Sequence, residues 1–128
     1  MDEPRRLRVL IVEDSATMRG FVTAALESGG GFEVTSAESG FAALKILPRA
    51  HYDLIITDIN MPDINGLELV RFVRESERHA EVPLMIISTD GRQADRERGL
   101  KLGANAYLVK PFSPEELLAA AERLVQRA

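Results

Sequence analysis

The sequence contains no cysteine and no tryptophan among its 128 residues, and only 5% of them are aromatic. Without cysteine, neither a disulfide framework nor a thiolate metal site is possible. The apolar runs are far too short for a membrane-spanning helix, which needs about 20 apolar residues. The charged first residues, Met1 to Arg6, lack the apolar stretch of a secretory signal. We therefore expect a cytoplasmic protein that does not insert into membranes.

Basic residues are also in the minority, because 20 acidic against 16 basic residues give a net charge of −4 at pH 7. This charge disfavours long-range attraction to nucleic acid, so protein or small-molecule partners are expected instead. The length suits one domain, residues 1–128, with a short N-terminal tail at 1–6. We expect no output domain in addition.

Short apolar, β-branched runs alternate along the chain with stretches of helical period. Two of these runs are apolar almost throughout, as expected for central parallel strands that helices cover on both faces. The pattern predicts an α/β fold with a five-stranded doubly wound parallel sheet and helices on both faces. The predicted strands are Leu7–Val12, Phe32–Ser36, Leu54–Thr57, Leu84–Ser88 and Ala106–Val109.

Five helices are predicted between and after the strands. The first begins near Asp14 or Ser15 and ends at the glycines 29–31. The last begins at Ser113-Pro114-Glu115-Glu116, a capping box with proline at the first helical position. Arg92–Leu102 is rich in arginine, poor in apolar residues and weakened by glycine, so we expect it to be the least stable helix. The remaining helices are predicted at Phe41–Leu47 and Leu67–Val73.

Polar residues follow four of the predicted strands at their carboxyl ends. In an open parallel sheet these ends share one edge, where ligands bind. Three carboxylates gathered there repel one another unless they raise their pKa values or hold a hard cation such as Mg²⁺. A lysine and a serine at the same edge suit a phosphoryl group. The residues are Glu13 and Asp14 after the first strand, Asp58 after the third, Ser88 with Thr89 and Asp90 at the fourth, and Lys110 after the fifth.

The segments around these residues resemble the motifs of response regulator receiver domains from bacterial two-component systems, and among them the single-domain chemotaxis type. The resemblance covers essentially the whole chain, and its motifs match in order and spacing. It rests on Val12–Ser15, Thr57–Gly66, Ile87–Thr89 and Tyr107–Phe112. It implies a flavodoxin-like sheet with the strand order 2-1-3-4-5.

The resemblance also implies a role for each strand-end residue. Asp58 looks like the phosphoacceptor, and Lys110 and Ser88 look like the residues that sense the phosphoryl group. Tyr107 matches the switch aromatic, whose inward or outward rotamer reports phosphorylation, and the Lys110–Pro111 peptide bond is expected to be cis. The implied Mg²⁺ site consists of Glu13, Asp14, Asp58 and the backbone carbonyl of Asn60.

By the same resemblance, a histidine kinase or phosphotransfer protein donates the phosphoryl group to Asp58. The receiver assists its own phosphotransfer and dephosphorylation, and is not otherwise an enzyme. A shift of the fourth helix and fifth strand then signals to a protein target, in chemotaxis or motility, on the face near residues 91–127. The alternative pathway roles are a phosphorelay shuttle and a receiver that acts on another enzyme. We expect a monomer, with weak pairing on phosphorylation as the alternative.

Thr89 departs from the family pattern, which has a small residue directly after the switch hydroxyl. Its bulk would narrow access to Asp58. The polar residues Asn60 and Asp90, two places past Asp58 and Ser88, are placed to position an attacking water. The sequence therefore leaves the reaction rates open, together with a pseudo-receiver that binds partners without being phosphorylated.

Two other kinds of site begin with residues similar to Asp58-Ile59-Asn60. A magnesium-dependent phosphatase with an aspartyl nucleophile would need a second carboxylate where Asn60 stands. A calcium loop would need different residues at Pro62, Asp63 and Leu69. Both alternatives are therefore disfavoured.

Two further groups of charged or titratable residues lie outside these motifs. The basic residues between 92 and 101 suit either a solvated helix face or a docking surface. His51 and His79 lie in predicted loops away from the strand ends. We predict that both are surface residues without a ligand role.

Overall fold

A computed structural model of the chain describes residues 6–29 and 31–126, within which five β-strands alternate with five α-helices. The predicted α/β alternation is confirmed. The strands are β1 (Leu7–Val12), β2 (Phe32–Ala37), β3 (Leu54–Asp58), β4 (Leu84–Ser88) and β5 (Ala106–Val109). The helices are α1 (Ala16–Ser28), α2 (Gly40–Ile46), α3 (Gly66–Glu75), α4 (Gln93–Leu102) and α5 (Pro114–Val125), and a 3₁₀ turn at Leu47–Arg49 follows α2.

The five strands form one parallel sheet in the order β2-β1-β3-β4-β5. This is the predicted order. Every residue of β3 and β4 is buried, which explains why both runs are almost purely apolar. The carboxyl ends of β1, β3, β4 and β5 consequently meet at one edge of the sheet.

Two apolar cores lie on the two faces of the sheet. One core joins α1 and α5 to side chains such as Ile56 and Ile87. The other joins α2 and α3 to side chains such as Ile55 and Ile86, with Leu102 of α4 at its margin. Among the described residues, no helix is long and apolar enough to span a membrane.

The helix ends follow the predicted signals. The Ser15 hydroxyl accepts the Met18 N–H at 3.2 Å and caps α1, which ends at Ser28 with Gly29 as its cap. The Ser113 and Glu116 side chains each accept the other's backbone N–H, which is the predicted capping box of α5. Residues 1–5 of the predicted N-terminal tail lie outside the described residues. Gly30, one of the glycines predicted to end the first helix, also lies outside them.

Helix α4 packs on the sheet through Gly99, its one fully buried residue. A Cβ atom at this position would lie only 2.6 Å from Cδ1 of Ile86. The buried position of α4 is a glycine, whereas α1, α3 and α5 bury large apolar side chains. Helix α4 therefore buries little apolar surface of its own. That α4 is the least stable helix stays a prediction.

The connection between α3 and β4 corrects the surface prediction for His79. His79 is only 1% exposed and its ring stacks on Tyr52, with centroids 6.0 Å apart. Within the described part of the chain, neither ring nitrogen has a hydrogen-bond partner. The prediction was wrong because the His79 ring packs against Tyr52, although its neighbours Glu77 and Arg78 stay exposed. His51 is exposed as predicted.

Arg74 holds this end of the molecule together. Its Nε donates to the Gly103 carbonyl at 2.9 Å, its Nη1 to the Val82 carbonyl at 2.7 Å, and its Nη2 to Oδ1 of Asn105 at 2.9 Å. Nη1 also lies within hydrogen-bond distance of the His79 and Ala80 carbonyls. One guanidinium therefore joins the loop before β4 to the loop before β5.

Candidate functional site

The predicted strand-end residues meet at the carboxyl edge of the sheet. Glu13 and Asp14 follow β1, Asp58 and Ser88 are the last residues of β3 and β4, and Lys110 follows β5. The order of the strands places β1 and β4 on either side of β3, so Asp58 lies centrally. The cis Lys110–Pro111 peptide expected from the resemblance is present.

Glu13, Asp14 and Asp58 form a carboxylate cluster, in which one oxygen of each lies within 4.8 Å of the other two. Glu13 and Asp58 are buried and Asp14 is exposed. Carboxylates this close repel one another unless a positive charge lies between them. An all-oxygen set of this size, open to solvent on one side, fits a hard divalent cation. The cluster is therefore a candidate metal centre.

Lys110 supplies a positive charge beside this cluster. Its Nζ donates to Oε1 of Glu13 at 2.9 Å and lies 3.5 Å from Oδ1 of Asp58. Burial raises the pKa of Glu13, and the hydrogen bond from Lys110 opposes this rise. The Lys110 backbone N–H also donates to the Ser88 carbonyl at 2.7 Å. This hydrogen bond fixes the position of the Lys110 backbone, from which the side chain extends.

The two oxygens of Asp58 differ in their surroundings. Oδ1 accepts the Ile59 N–H at 2.9 Å and faces Lys110, whereas Oδ2 has no partner within the described residues. The loop after Asp58 returns to it closely, because the Gly66 N–H donates to the Ile59 carbonyl at 2.8 Å. A Cβ atom on Gly66 would collide with the Asp58 backbone, so this position requires glycine.

A short chain of hydrogen bonds connects Ser88 to Tyr107. The Ser88 hydroxyl oxygen accepts the Asp90 N–H at 3.0 Å, and the Asp90 carbonyl accepts the Tyr107 hydroxyl at 2.7 Å. Tyr107 is only 6% exposed, so its ring is in the inward position. Thr89 points to solvent between these bonded residues.

The side chain of Asp90 belongs to a separate ionic cluster. Arg92 approaches it with Nε at 3.1 Å from each carboxylate oxygen and with Nη2 at 2.7 Å from Oδ2, and Arg92 also lies 3.5 Å from Asp95. These contacts lower the pKa of Asp90 and keep it ionised. Asn60, which is exposed, lines the same cleft as Asp90 and Tyr107.

Two contacts near the site were not predicted from the sequence. Nη1 of Arg19 donates to the carbonyls of Glu13 and Asp14 at 2.8 and 3.1 Å. The Asp63 carboxylate accepts the Phe41 N–H at 2.9 Å, which ties the loop after β3 to the start of α2 and lowers the pKa of Asp63. In both contacts the partner is a backbone atom, which every residue possesses. The residue types in the sequence therefore could not predict them.

The fold and the acidic edge define a doubly wound α/β protein with a candidate metal centre, and comparison with known proteins gives its family. The model of the response regulator receiver domain matches residues 9–122. The chain belongs to this family, as the resemblance implied. Members of this family are signalling proteins.

Two chemotaxis proteins are among the similar sequences. The chain is 42% identical over 112 residues to chemotaxis protein CheY1 of Helicobacter pylori, an alignment that covers 87% of this chain and 90% of that protein. It is 39% identical over 112 residues to the chemotaxis protein CheY homolog of Campylobacter jejuni, covering 87% and 86% of the two chains. Both relatives match this chain over most of their own length.

Solved structures agree with this assignment. The chemotaxis response regulator CheY4 of Vibrio cholerae superposes with a TM-score of 0.89 at 36% identity, covering 94% of this chain and 99% of that one. The receiver domain of the Pseudomonas aeruginosa sensor histidine kinase PA1611 superposes with a TM-score of 0.86 at 32% identity, covering 94% and 98%. The latter is described with a magnesium ion coordinated in its active site cleft.

Proposed function

We propose that the chain is a response regulator that accepts a phosphoryl group on Asp58 from a histidine kinase or phosphotransfer protein. The observation that carries this proposal is the asymmetry of the Asp58 carboxylate. Oδ1 is held by the Ile59 N–H at 2.9 Å, while Oδ2 is unpartnered within the described chain. A carboxylate held by one oxygen presents the other as an oriented nucleophile.

We assign the metal centre to Mg²⁺, held by the carboxylates of Glu13, Asp14 and Asp58 and by the backbone carbonyl of Asn60. The all-oxygen donor set and its open side support this assignment, because Mg²⁺ keeps several waters and accepts phosphate oxygens. When bound, Mg²⁺ offsets the charge of the carboxylates and of the incoming phosphoryl oxygens.

In the transfer step, Asp58 attacks the phosphorus in line and forms an O–P bond as the N–P bond of phosphohistidine breaks. The electron pair of that bond stays on the imidazole, which the proton on its other nitrogen keeps neutral. Lys110 carries three protons and lies 3.5 Å from Asp58, so it can donate to a phosphoryl oxygen as well as to Glu13. The receiver thus supplies catalytic groups for its own phosphorylation.

We further propose that Ser88 and Tyr107 pass the signal on. The Ser88 oxygen accepts a bond from Asp90, which leaves its hydroxyl proton free to donate to a phosphoryl group. A movement of Ser88 pulls on the same residue whose carbonyl holds the Tyr107 hydroxyl. The signal therefore reaches α4 and β5, and the face near residues 91–127 is the proposed docking surface for a protein target.

The pathway is proposed from the relatives, which include chemotaxis proteins of two organisms. We propose a cytoplasmic receiver spanning 1–128 that acts on a protein target in chemotaxis or motility, without binding nucleic acid. We propose a monomer as its resting state. Asn60, Thr89 and Asp90 are proposed to modulate the lifetime of the phosphoryl group, since Asn60 and Asp90 line one cleft beside the site and Thr89 is exposed between Ser88 and Asp90.

The test is incubation with Mg²⁺ and acetyl phosphate, followed by intact-mass analysis of the wild type and of Asp58→Asn. We expect a mass gain of one phosphoryl group that requires Mg²⁺ and is absent from Asp58→Asn. Asp63→Asn serves as a matched control, because Asp63 lies on the same loop outside the cluster. An unmodified wild type that also fails to bind Mg²⁺ would instead support the pseudo-receiver.

A further inference from the structure

The two adjacent acidic residues of the cluster are held in very different ways. Glu13 is fixed on every side: its N–H donates to the Ala37 carbonyl at 3.0 Å, and its carboxylate accepts from Ser15 at 3.1 Å and from Lys110 at 2.9 Å. Asp14 is exposed, and its carboxylate accepts no hydrogen bond within the described residues. Its one hydrogen bond there is the contact of its carbonyl with Nη1 of Arg19, at 3.1 Å.

The same Nη1 atom also contacts the Glu13 carbonyl at 2.8 Å. One nitrogen therefore ties together two consecutive peptide groups and sets the angle between them. Because the side chains of Glu13 and Asp14 project from these peptide groups, the contact determines where the Asp14 carboxylate lies relative to Asp58. Arg19 is half-buried on α1 and forms no salt bridge within the described chain.

We infer that Arg19 is a positioning residue for the cation site, which holds the β1–α1 turn so that Asp14 stays within reach of the ion. This inference rests on the proposed function, because it assumes that the carboxylate cluster binds Mg²⁺. Arg19 does not touch the ion or the phosphoryl group. It acts through the backbone of Glu13 and Asp14, which supply two of the three carboxylates of the cluster.

The charge of Arg19 and its hydrogen bonds act on cation binding in opposite directions. A guanidinium near the cluster repels Mg²⁺, so removal of its charge alone would tighten binding. Loss of the two hydrogen bonds would loosen Asp14 and weaken binding, as happens when supporting partners of metal ligands are removed. The sign of the change therefore separates positioning from simple electrostatics.

The experiment compares the wild type with Arg19→Gln and Arg19→Lys, and with Arg71→Gln as the control for loss of one positive charge. The Arg71 side chain is 73% exposed on α3 and lies away from the cluster. Mg²⁺ affinity is measured by titration calorimetry, and folding is checked by circular dichroism. Positioning predicts that Arg19→Gln weakens Mg²⁺ binding about tenfold. Arg19→Lys, which keeps the charge but loses the paired contact, should also weaken it, and Arg71→Gln should not.

A second measurement is the Mg²⁺ dependence of phosphorylation by acetyl phosphate. In both Arg19 variants, the Mg²⁺ concentration at half-maximal rate should rise in step with the dissociation constant. The maximal rate at saturating Mg²⁺ should return to the wild-type value, which a general folding defect would not allow. If Arg19→Gln should fail to fold, the two measurements on Arg19→Lys carry the test.

Tighter or unchanged Mg²⁺ binding by folded Arg19→Gln would overturn the inference, and so would wild-type affinity in Arg19→Lys. A wild type that binds no Mg²⁺ would overturn the proposed metal centre itself. The two failures are distinguishable, because the first appears only in the variants and the second appears in every protein tested.

Discussion

The hydroxyl of Tyr107 donates a hydrogen bond of 2.7 Å to the backbone carbonyl of Asp90. This bond fastens β5 to the loop that follows β4. Replacing Tyr107 with phenylalanine keeps the buried ring and removes only the bond, so the free energy of unfolding should fall by about 1 kcal/mol. Urea denaturation measures this change in the free energy of unfolding. Tyr52→Phe is the matched control, because Tyr52 is 7% exposed and its hydroxyl has no hydrogen bond within the described residues. Equal losses in the two variants would contradict the prediction.

Lys110→Gln should leave the Glu13 carboxylate buried without its cation. Glu13 is 1% exposed, and loss of one partner of a buried pair costs about 3 kcal/mol of unfolding free energy. Added Mg²⁺ should restore more stability to this variant than it adds to the wild type, because the competing ammonium is gone. Thermal denaturation with and without Mg²⁺ tests both statements. Lys101→Gln, on the exposed face of α4, should change neither quantity.

The burial of His79 should make stability depend on pH. Burial lowers the pKa of His79 in the folded state, so the folded chain resists the proton that the unfolded chain takes up below about pH 6.5. Stability is therefore fully present above this pH and falls as the pH is lowered towards the folded-state pKa. Between pH 7.5 and 5.5, the wild type should lose up to about 1.4 kcal/mol more than His79→Leu.

The control for this comparison is His51→Gln, which removes an exposed histidine whose charge opposes protonation of His79. Unfolding free energies of all three proteins are measured by urea denaturation at the two pH values. His51→Gln should keep most of the wild-type pH dependence. The same pH dependence in His79→Leu as in the wild type would assign the effect to other groups.

Two glycines in helices should respond oppositely to alanine. At Gly99, the new methyl group would lie 2.6 Å from Cδ1 of the fully buried Ile86, so that either this side chain or α4 must shift, at a cost of about 1 to 3 kcal/mol. At Gly20 in α1, nothing lies within 4 Å of the new methyl group, so higher helix propensity should add up to about 1 kcal/mol. Thermal denaturation of the two variants checks the signs. Unchanged stability of Gly99→Ala would contradict the prediction and show that the contact with Ile86 is relieved without cost.

The sequence was sufficient for the sheet and for most of the candidate site. Apolar runs define strands, and residues that end parallel strands must meet at one edge, so Asp58 and Lys110 could be placed together without coordinates. Similarly, the capping box at Ser113 and Glu116 is a local pattern and marks the start of α5. These features depend on neighbours in sequence or on the regularity of the sheet.

What the sequence did not reveal depends on backbone atoms and on burial by distant segments. Arg19 and Arg74 both donate to backbone carbonyl groups, which every residue possesses. The residue types of their partners therefore do not reveal these contacts. His79 is buried by Tyr52 and the loop around it, although its own segment has the composition of a surface loop. Helix α2 ends one residue earlier than predicted because Leu47 continues into a 3₁₀ turn, and it begins one residue earlier because Ser39 caps it.

Among the described residues, the guanidinium of Arg74 binds only neutral acceptors, whereas Arg92 at the opposite end of the sheet binds the carboxylates of Asp90 and Asp95. Dissolved salt screens attraction between exposed charges but has little effect on hydrogen bonds to partly buried carbonyls. The contacts at the two ends of the domain should therefore respond differently to ionic strength. The contacts of Arg74 should persist, whereas the loop between β4 and α4, whose Asp90 connects Ser88 to Tyr107, should loosen as salt is added.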